Sequence, residues 1–519
     1  MPAQNAHDIA TRRSGAPAIG IELRGGALAF DGRPVFESMD LDIPAGQTTC
    51  LLGTSGVGKS SLLRLIAGIS PEATARHLGA SDGGPIAGRI AYMDQRDLLL
   101  PWLSVLANVT LGARLRGEAA DQQQAMALLQ QVGLADEADK LPSALSGGMR
   151  QRAALARTLM EDRPVVLMDE PFSAVDALTR LRLQDLAAEL LVGRTILLVT
   201  HDPLEALRLG HRILVLRSDS GGAPAHMSEP LEPAGAVPRP AGDPARPGLA
   251  AKNLGDLAAC GVGVENAGRS LVSLAILLAG WQGLVWVTQV EPFILPGPWL
   301  VAISLAGHLE LIGGHALTTL AEIILGLILG SAFGVLSAIS LSWFPHVRRW
   351  LLPLLVVTQA IPVFALAPVL VLWLGYGMAS KVMMAGLIIF FPVTAAFLDG
   401  LRRTEPGWLD LAQTMTAGGR SSGRWAMLRH IRIPAALPAL ASGLRVAAAV
   451  APIGAVVGEW VGSSAGLGYL MLHANGRMQI DLLFAALFVL AVMAVTIYFT
   501  LDWLLRRLLP WQPDSLAND

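Results

Sequence analysis

Two short runs in this chain carry the side chains that phosphate chemistry needs. Gly53-Thr54-Ser55-Gly56-Val57-Gly58-Lys59-Ser60 follows the apolar stretch Thr48–Leu52 and opens a helical run, Ser61–Ile69. Glycines at this spacing let successive backbone N–H groups curl around phosphate oxygens, and the start of the helix adds positive potential. Lys59 then offers a mobile cation to the β- and γ-phosphates of a nucleotide, and Ser60 a hydroxyl ligand for magnesium. The second run is Val165-Val166-Leu167-Met168-Asp169-Glu170, an apolar strand delivering two acids at its tip. Alone, such a pair reads as a solvated strand end. Downstream of a phosphate loop it fits magnesium coordination by Asp169 and activation of water by Glu170. This part of the chain is expected to bind and split a nucleotide.

The elements around these runs are of the kind that positions a phosphate loop. From about Ile19 to Leu216 short apolar strands alternate with longer amphipathic stretches, the pattern of an α/β domain. Strands are expected at Thr48–Leu52, Arg89–Met93, Val165–Met168 and Thr195–Thr200. Pro224, Pro230, Pro233, Pro238, Pro240, Pro244 and Pro247 then crowd a short stretch with Gly, Ala and Ser. Proline lacks an N–H and clashes with the preceding turn, so this stretch holds no helix. Its first part closes the soluble domain, 19–240, and a linker follows over 241–269.

Overall composition is that of a membrane protein. Of 519 residues, 53% are apolar and only 15% charged, against roughly 25% charged in a soluble chain. A wholly soluble enzyme and a disordered chain are both excluded. A net charge of −2 gives no basic field, so no nucleic-acid partner is expected. Cys50 and Cys260 are too few for a disulfide framework or zinc cluster and read as packing residues. Arg12 and Arg13 have no apolar stretch behind them, which predicts an uncleaved, cytosolic N-terminus.

Apolar segments concentrate in 270–508. Leu271–Val290 is twenty residues without a charge, enough to cross a hydrocarbon core of about 30 Å. Five more follow at His315–Leu341, Leu351–Leu374, Lys381–Leu398, Ala435–Val461 and Leu482–Leu505, which predicts six spans. Arg348 and Arg349, then Arg402, Arg403, Arg420, Arg424, Arg429 and Arg432, then Arg506 and Arg507 mark one side. The other side offers little beyond Arg477 and Lys381. The positive-inside rule therefore places both chain ends in the cytoplasm.

At this point the first half resembles the ATP-binding-cassette (ABC) ATPases. Leu145-Ser146-Gly147-Gly148-Met149-Arg150-Gln151-Arg152 is similar to the signature motif of that family. Gln95 in Tyr92-Met93-Asp94-Gln95 resembles the Q-loop glutamine, Ser173-Ala174-Val175-Asp176 the D-loop, and His201 in Val199-Thr200-His201-Asp202 the switch histidine. Phe30 stands where the family stacks an aromatic ring on adenine. The resemblance implies an ATPase using ATP and Mg2+, with Glu170, His201 and Gln95 as catalytic residues. It implies a nucleotide cradle of Phe30, Gly53, Thr54, Ser55, Gly56, Val57, Gly58, Lys59, Ser60, Ser61, Ser146, Gly147, Gly148, Gln151 and Asp176. Ser60, Gln95 and Asp169 are the implied metal ligands. Since the family pairs two cassettes head to tail, a homodimer is implied as well.

The second half resembles the permease subunits of binding-protein-dependent importers. The segment from Asp410-Leu411-Ala412-Gln413-Thr414-Met415 to Ile431-Arg432-Ile433-Pro434 is similar to their cytoplasmic coupling segment. Asp410 stands where glutamate is usual, and Thr416–Ser422 is longer than the pattern. Gly458-Glu459-Trp460-Val461-Gly462 and Ala465-Gly466-Leu467-Gly468-Tyr469-Leu470 resemble the nitrate, sulfonate, taurine and thiamine-precursor group, with riboflavin permeases as relatives. The implied fold is an α/β P-loop NTPase cassette followed by an all-α six-helix transmembrane permease domain of the type I importer kind. The implied protein lies in the inner (plasma) membrane, its ATPase domain cytoplasmic. It takes a small-molecule substrate from an extracytoplasmic substrate-binding protein. A cassette-first exporter is disfavoured by the coupling segment, and a non-transporting mechanical ABC protein by the six spans. Glu322, Arg445, Glu459 and Asp502 fall inside or at the ends of spans, where structural pairing is favoured over substrate contact.

Overall fold

The computed structural model describes residues 18–239, apart from 31–32, 55, 71, 174 and 219–223, and residues 279–512, apart from 418–422. The chain forms two compact units, Met1–Pro247 with Thr404–Pro434, and Gly248–Arg403 with Ala435–Asp519. The expected linker, 241–269, lies outside the described residues.

The first unit holds two sheets. One is antiparallel, with β1 (Ile21–Phe30) between β2 (Arg33–Ile43) and the short β4 (Ala73–Thr74), and with β5 (His77–Ala80) also on β1. The other contains β3 (Thr48–Gly53), β6 (Ile90–Met93), β7 (Val165–Asp169), β8 (Thr195–Val199), β9 (Arg212–Arg217) and β10 (His226–Met227). Its order is β10-β9-β3-β8-β7-β6, parallel except for β10. The four expected strands correspond to β3, β6, β7 and β8 within one residue at either end. Every residue of β7 and β8 is buried, as parallel strands covered on both faces must be. One apolar cluster, including Val166, Met168 and Leu198, packs on one face; another, including Leu51, Leu167 and Val199, packs on the other. The carboxyl ends of β3 and β7 carry Gly53 and Asp169, and ligands of such sheets bind beyond those ends.

The second unit is helical: Pro298–Gly307, Leu309–Trp343, Pro345–Ala360, Val363–Leu374, Met378–Arg402, Ile433–Gly462, Leu467–Gly476 and Ile480–Leu508. Among the described residues, Leu309–Trp343, Met378–Arg402, Gly423–Gly462 and Ile480–Leu508 are long and apolar enough to cross a membrane. The expected span Leu351–Leu374 is instead two helices. Pro362 disfavours helical geometry at the residue before it, and Ile361 sits at φ −82°, ψ 119°. Of the first expected span, 271–278 lie outside the described residues and 279–288 are helical. Helices Leu309–Trp343 and Met378–Arg402 approach closely along Gly326, Gly330 and Gly334. A Cβ on Gly330 would lie 2.8 Å from the carbonyl oxygen of Gly386, so small residues set this contact.

Candidate ATPase site

The turn after β3 is held by its own residues. Lys59 Nζ donates to the carbonyl oxygens of Gly53 (2.8 Å) and Thr54 (2.9 Å). Gly58 precedes the helix Lys59–Ile66 at φ 104°. A Cβ there would fall 2.7 Å from Val35 Cγ1. Ser55 lies outside the described residues; Thr54, Gly56 and Val57 complete the turn, and Ser61 sits in the first helical turn. A left-handed non-glycine residue costs roughly 1–2 kcal/mol before any overlap. Gly58→Ala is therefore expected to weaken binding of a fluorescent ATP analogue about tenfold or more. Unchanged affinity in the folded variant would contradict the cradle.

At the tip of β7, Glu170 adopts φ 45° and its N–H donates to Val199 O (2.9 Å). This turn brings its carboxylate to two partners from neighbouring strand ends. Gln95 Nε2 donates to Oε2 at 3.3 Å, and His201 Nδ1 stands 3.1 Å from Oε1. Asp169 is only 3% exposed. Burial pushes its carboxyl up to about 6, the Ser60 hydroxyl bond opposing and the charges of Asp94 and Glu170 adding to the shift. Its Oδ1 is buried without a hydrogen-bond partner. An orphaned carboxylate oxygen beside a hydroxyl suits a hard cation that takes its other ligands from phosphate and water. Ser60 and Asp169 thus fit Mg2+.

Between about pH 4 and 6 the folded site holds a proton that the unfolded chain has released, so stability falls as pH rises through this window. The Tm of Asp169→Asn should therefore rise relative to wild type from pH 5 to 7.5 without Mg2+, and the gap should narrow with Mg2+ and ATP. A gap independent of pH would contradict this.

The remaining expected residues are dispersed. Ser146 caps the helix Gly147–Met160, accepting from Met149 N–H (3.4 Å). Among the described residues no hydrogen bond joins Ser146, Gly147 or Gly148 to the phosphate loop. Gln151 is interior, 3% exposed, and donates to Pro171 O (3.1 Å). Its side chain ties the signature helix to the residue after Glu170 and is not at a surface open to nucleotide. Asp176 caps the helix Ala177–Leu190, accepting from Thr179 N–H (3.0 Å). Phe30 ends β1, and its side chain lies outside the described residues. Lys59, Ser60, Gln95, Asp169, Glu170 and His201 are the ones gathered at the sheet's carboxyl edge.

The segment Thr404–Pro434 belongs to this same unit. It forms the helix Pro406–Thr416, the short helix Gly423–Met427 and a π-helical turn, Leu428–Arg432. Leu411, Ala412, Met415 and Ile431 share an apolar cluster with Leu98, Leu100, Leu111 and Leu115. Trp102 and Trp408 meet edge-to-face at 5.2 Å, and Trp102 Nε1 donates to His430 O (3.3 Å). Arg64 pairs with Asp410, Arg96 with Glu405 at 2.6 Å, and Arg116 donates to Met415 O (3.2 Å). A Cβ on Gly407 would lie 2.9 Å from Leu98 Cδ2, so the helix rests directly on the chain just after Gln95. Arg64, Trp102 and Arg116 went unread in the sequence. Two acids in a basic loop, Glu405 and Asp410, are the signals that cations face them.

In the helical unit the intramembrane ionisable groups are engaged. Glu322 pairs with Lys381 (3.0 Å) and Arg445 with Asp502 (2.6 Å). Glu459 accepts from the Thr319 hydroxyl (2.6 Å) and from the Gly468 N–H. Buried charge is tolerated only with such partners.

Comparison with known proteins agrees with both units. Residues 36–173 match the family described as "ABC transporter", and residues 330–512 match "Binding-protein-dependent transport system inner membrane component". A "Probable ABC transporter permease protein" of Haemophilus influenzae is 54% identical over 239 residues, 46% of this chain and 96% of its own length. An "Uncharacterized ABC transporter ATP-binding protein" of the same organism is 48% identical, over 41% of this chain and 88% of its own. An aliphatic sulfonates import ATP-binding protein of Delftia acidovorans is 48% identical, over 38% and 79%. The chain belongs to the ABC transporters: it joins an ATP-hydrolysing cassette to an importer-type permease domain in one multi-pass inner-membrane protein.

Proposed function

We propose that this chain imports a small organic solute delivered by an extracytoplasmic binding protein, working as a homodimer of cassettes 19–240 and permease domains 270–508. The observation that carries this reading is the seating of Thr404–Pro434 against the residues that follow Gln95. A permease loop resting there can act on Gln95, which already touches Glu170. In the proposed cycle Lys59 and the phosphate loop bind ATP, Ser60, Asp169 and Gln95 would hold Mg2+, and Glu170 takes the proton of the attacking water. Bound Mg2+ supplies charge neutralisation at the phosphates. His201 and Gln95 fix the Glu170 carboxylate from either side. Ser146, Gly147 and Gly148 would serve the site of a second copy, which accounts for their having no bond to their own phosphate loop. On this reading the purified protein has twice the chain mass, and nucleotide-driven closure fails in its separated halves.

For the solute we propose a pyrimidine of the thiamine-precursor kind, on the likeness of the Gly458–Gly462 and Ala465–Leu470 runs. An aliphatic sulfonate is the second reading, favoured by the names of several cassette relatives. The cassette meets ATP, so those names bear on the solute only indirectly. Uptake of labelled pyrimidine, sulfonate and riboflavin by cells expressing the chain together with an extracytoplasmic binding protein for each solute separates them. Pyrimidine uptake abolished by Lys59→Ala supports the first; sulfonate uptake alone overturns it.

A further inference from the structure

Among the described residues Arg157 is the largest fully buried side chain, 1% exposed. It lies on the signature helix, Gly147–Met160, ten residues from the nucleotide-facing end and outside the catalytic set. Among the described residues its guanidinium meets no carboxylate directly. It donates instead to two backbone carbonyls, Leu98 O (2.8 Å) and Asp97 O (2.7 Å). Two turns back on the same helix, partly exposed Arg150 pairs with the Asp97 carboxylate at 2.9 Å. The clamped segment is unusual in itself. Leu98 sits at φ 45°, a conformation that bulky residues avoid unless their surroundings impose it. On its far side Leu98 supports Gly407 and joins the cluster with Leu411 and Met415. Two residues on, Leu100 is fixed by buried Asn108, which accepts from Leu100 N–H (2.8 Å) and donates to Leu100 O (3.1 Å).

Residues 96–100 are thus gripped from two directions, by the signature helix through Arg157 and by the permease loop through Leu98. We propose that Arg157 is a positioning residue for hydrolysis: its fork holds the chain after Gln95 in a strained form, and the loop 404–434 acts on Gln95 and the signature helix through this one clamp. The proposal rests on the reading of that loop as the coupling element. A fork of fixed geometry is required because two adjacent carbonyls must be met together, which an ammonium on a flexible stem does poorly. Removing the fork lets Leu98 relax, and the relaxed segment no longer transmits a push from the loop to Gln95.

The test uses the full chain in nanodiscs of phosphatidylethanolamine and phosphatidylglycerol, comparing wild type, Arg157→Lys, Trp408→Ala and the double variant. Amide exchange over residues 96–100 should rise about tenfold in Arg157→Lys, while exchange in the helix Lys59–Ile66 and affinity for trinitrophenyl-ATP stay within about twofold. ATPase should fall in both single variants, and the double should fall no further than the lower single, because both act on one element. A purely packing role would instead raise exchange throughout the unit and give multiplicative losses. Unchanged exchange at 96–100 in a folded Arg157→Lys protein overturns the clamp, as do multiplicative effects. If Arg157 variants do not fold, Leu98→Gly releases the same strain and must loosen 96–100 likewise; its failure to do so overturns the proposal. If Trp408→Ala leaves ATPase untouched while Arg157→Lys still frees 96–100, the clamp on Gln95 stands and the coupling reading of the loop falls.

Discussion

Glu170→Gln is expected to cut ATP turnover by about 10²–10⁴-fold, the range that loss of a general base produces, while ATP still binds. Glutamine keeps the shape of the carboxylate and can still accept from Gln95, so the turn at φ 45° has no reason to rearrange. What it loses is the ability to take a proton from water. Loss of this size raises the barrier by about 3–5 kcal/mol, far above any change from repacking at a half-open site. Lys59→Ala makes the contrasting variant. Its Nζ organises the Gly53 and Thr54 carbonyls and offers charge to the phosphates, so affinity itself should fall. Measuring ATP affinity and phosphate release side by side separates the two. Wild-type turnover in Glu170→Gln would remove the base assignment.

The second large effect is expected from Leu411→Asp. Leu411 is 1% exposed in the seam between the helix Pro406–Thr416 and the cassette. A carboxylate there has no partner, and an unpaired polar group in such a place costs about 2–7 kcal/mol. The helix should leave its seat, so solute transport should be lost while ATP binding persists. Asp410→Asn should do much less. Its partner Arg64 is 40% exposed, and exposed ion pairs contribute only about 0–1 kcal/mol. Shape, not charge, is therefore expected to dominate the seat. A larger transport defect in Asp410→Asn than in Leu411→Asp would reverse that order.

Much of this was legible in the sequence, for a physical reason. Phosphate binding constrains backbone geometry, so Gly53–Ser60 shows itself through glycine spacing and the flanking strand and helix. Buried parallel strands are uniformly apolar, so Val165–Met168 and Thr195–Thr200 stood out. Contacts between distant residues left weaker marks. Arg64 and Asp410 are separated by 346 positions, and nothing in either neighbourhood names the other. Arg157 reads as one more arginine on an amphipathic helix, although it is among the most buried groups. Lys381 looked like a loop charge because it opens an apolar segment; it lies 5% exposed against Glu322. The long apolar run Leu351–Leu374 concealed a break because hydropathy averages over Pro362, whereas backbone geometry does not. Gln151 falls within the run that resembles the signature motif, yet its amide is spent on Pro171 inside the unit.

On the proposed reading, two copies of this one polypeptide spend ATP to move solute toward the cassette side. The most direct measurement is ATP-dependent accumulation of labelled solute by proteoliposomes containing only this chain, with ATP enclosed and solute-loaded binding protein outside. Accumulation in the lumen that needs Glu170 and an intact Leu411 is the expected result. ATP-driven loss of solute from the lumen, or accumulation that persists in Glu170→Gln, would contradict it.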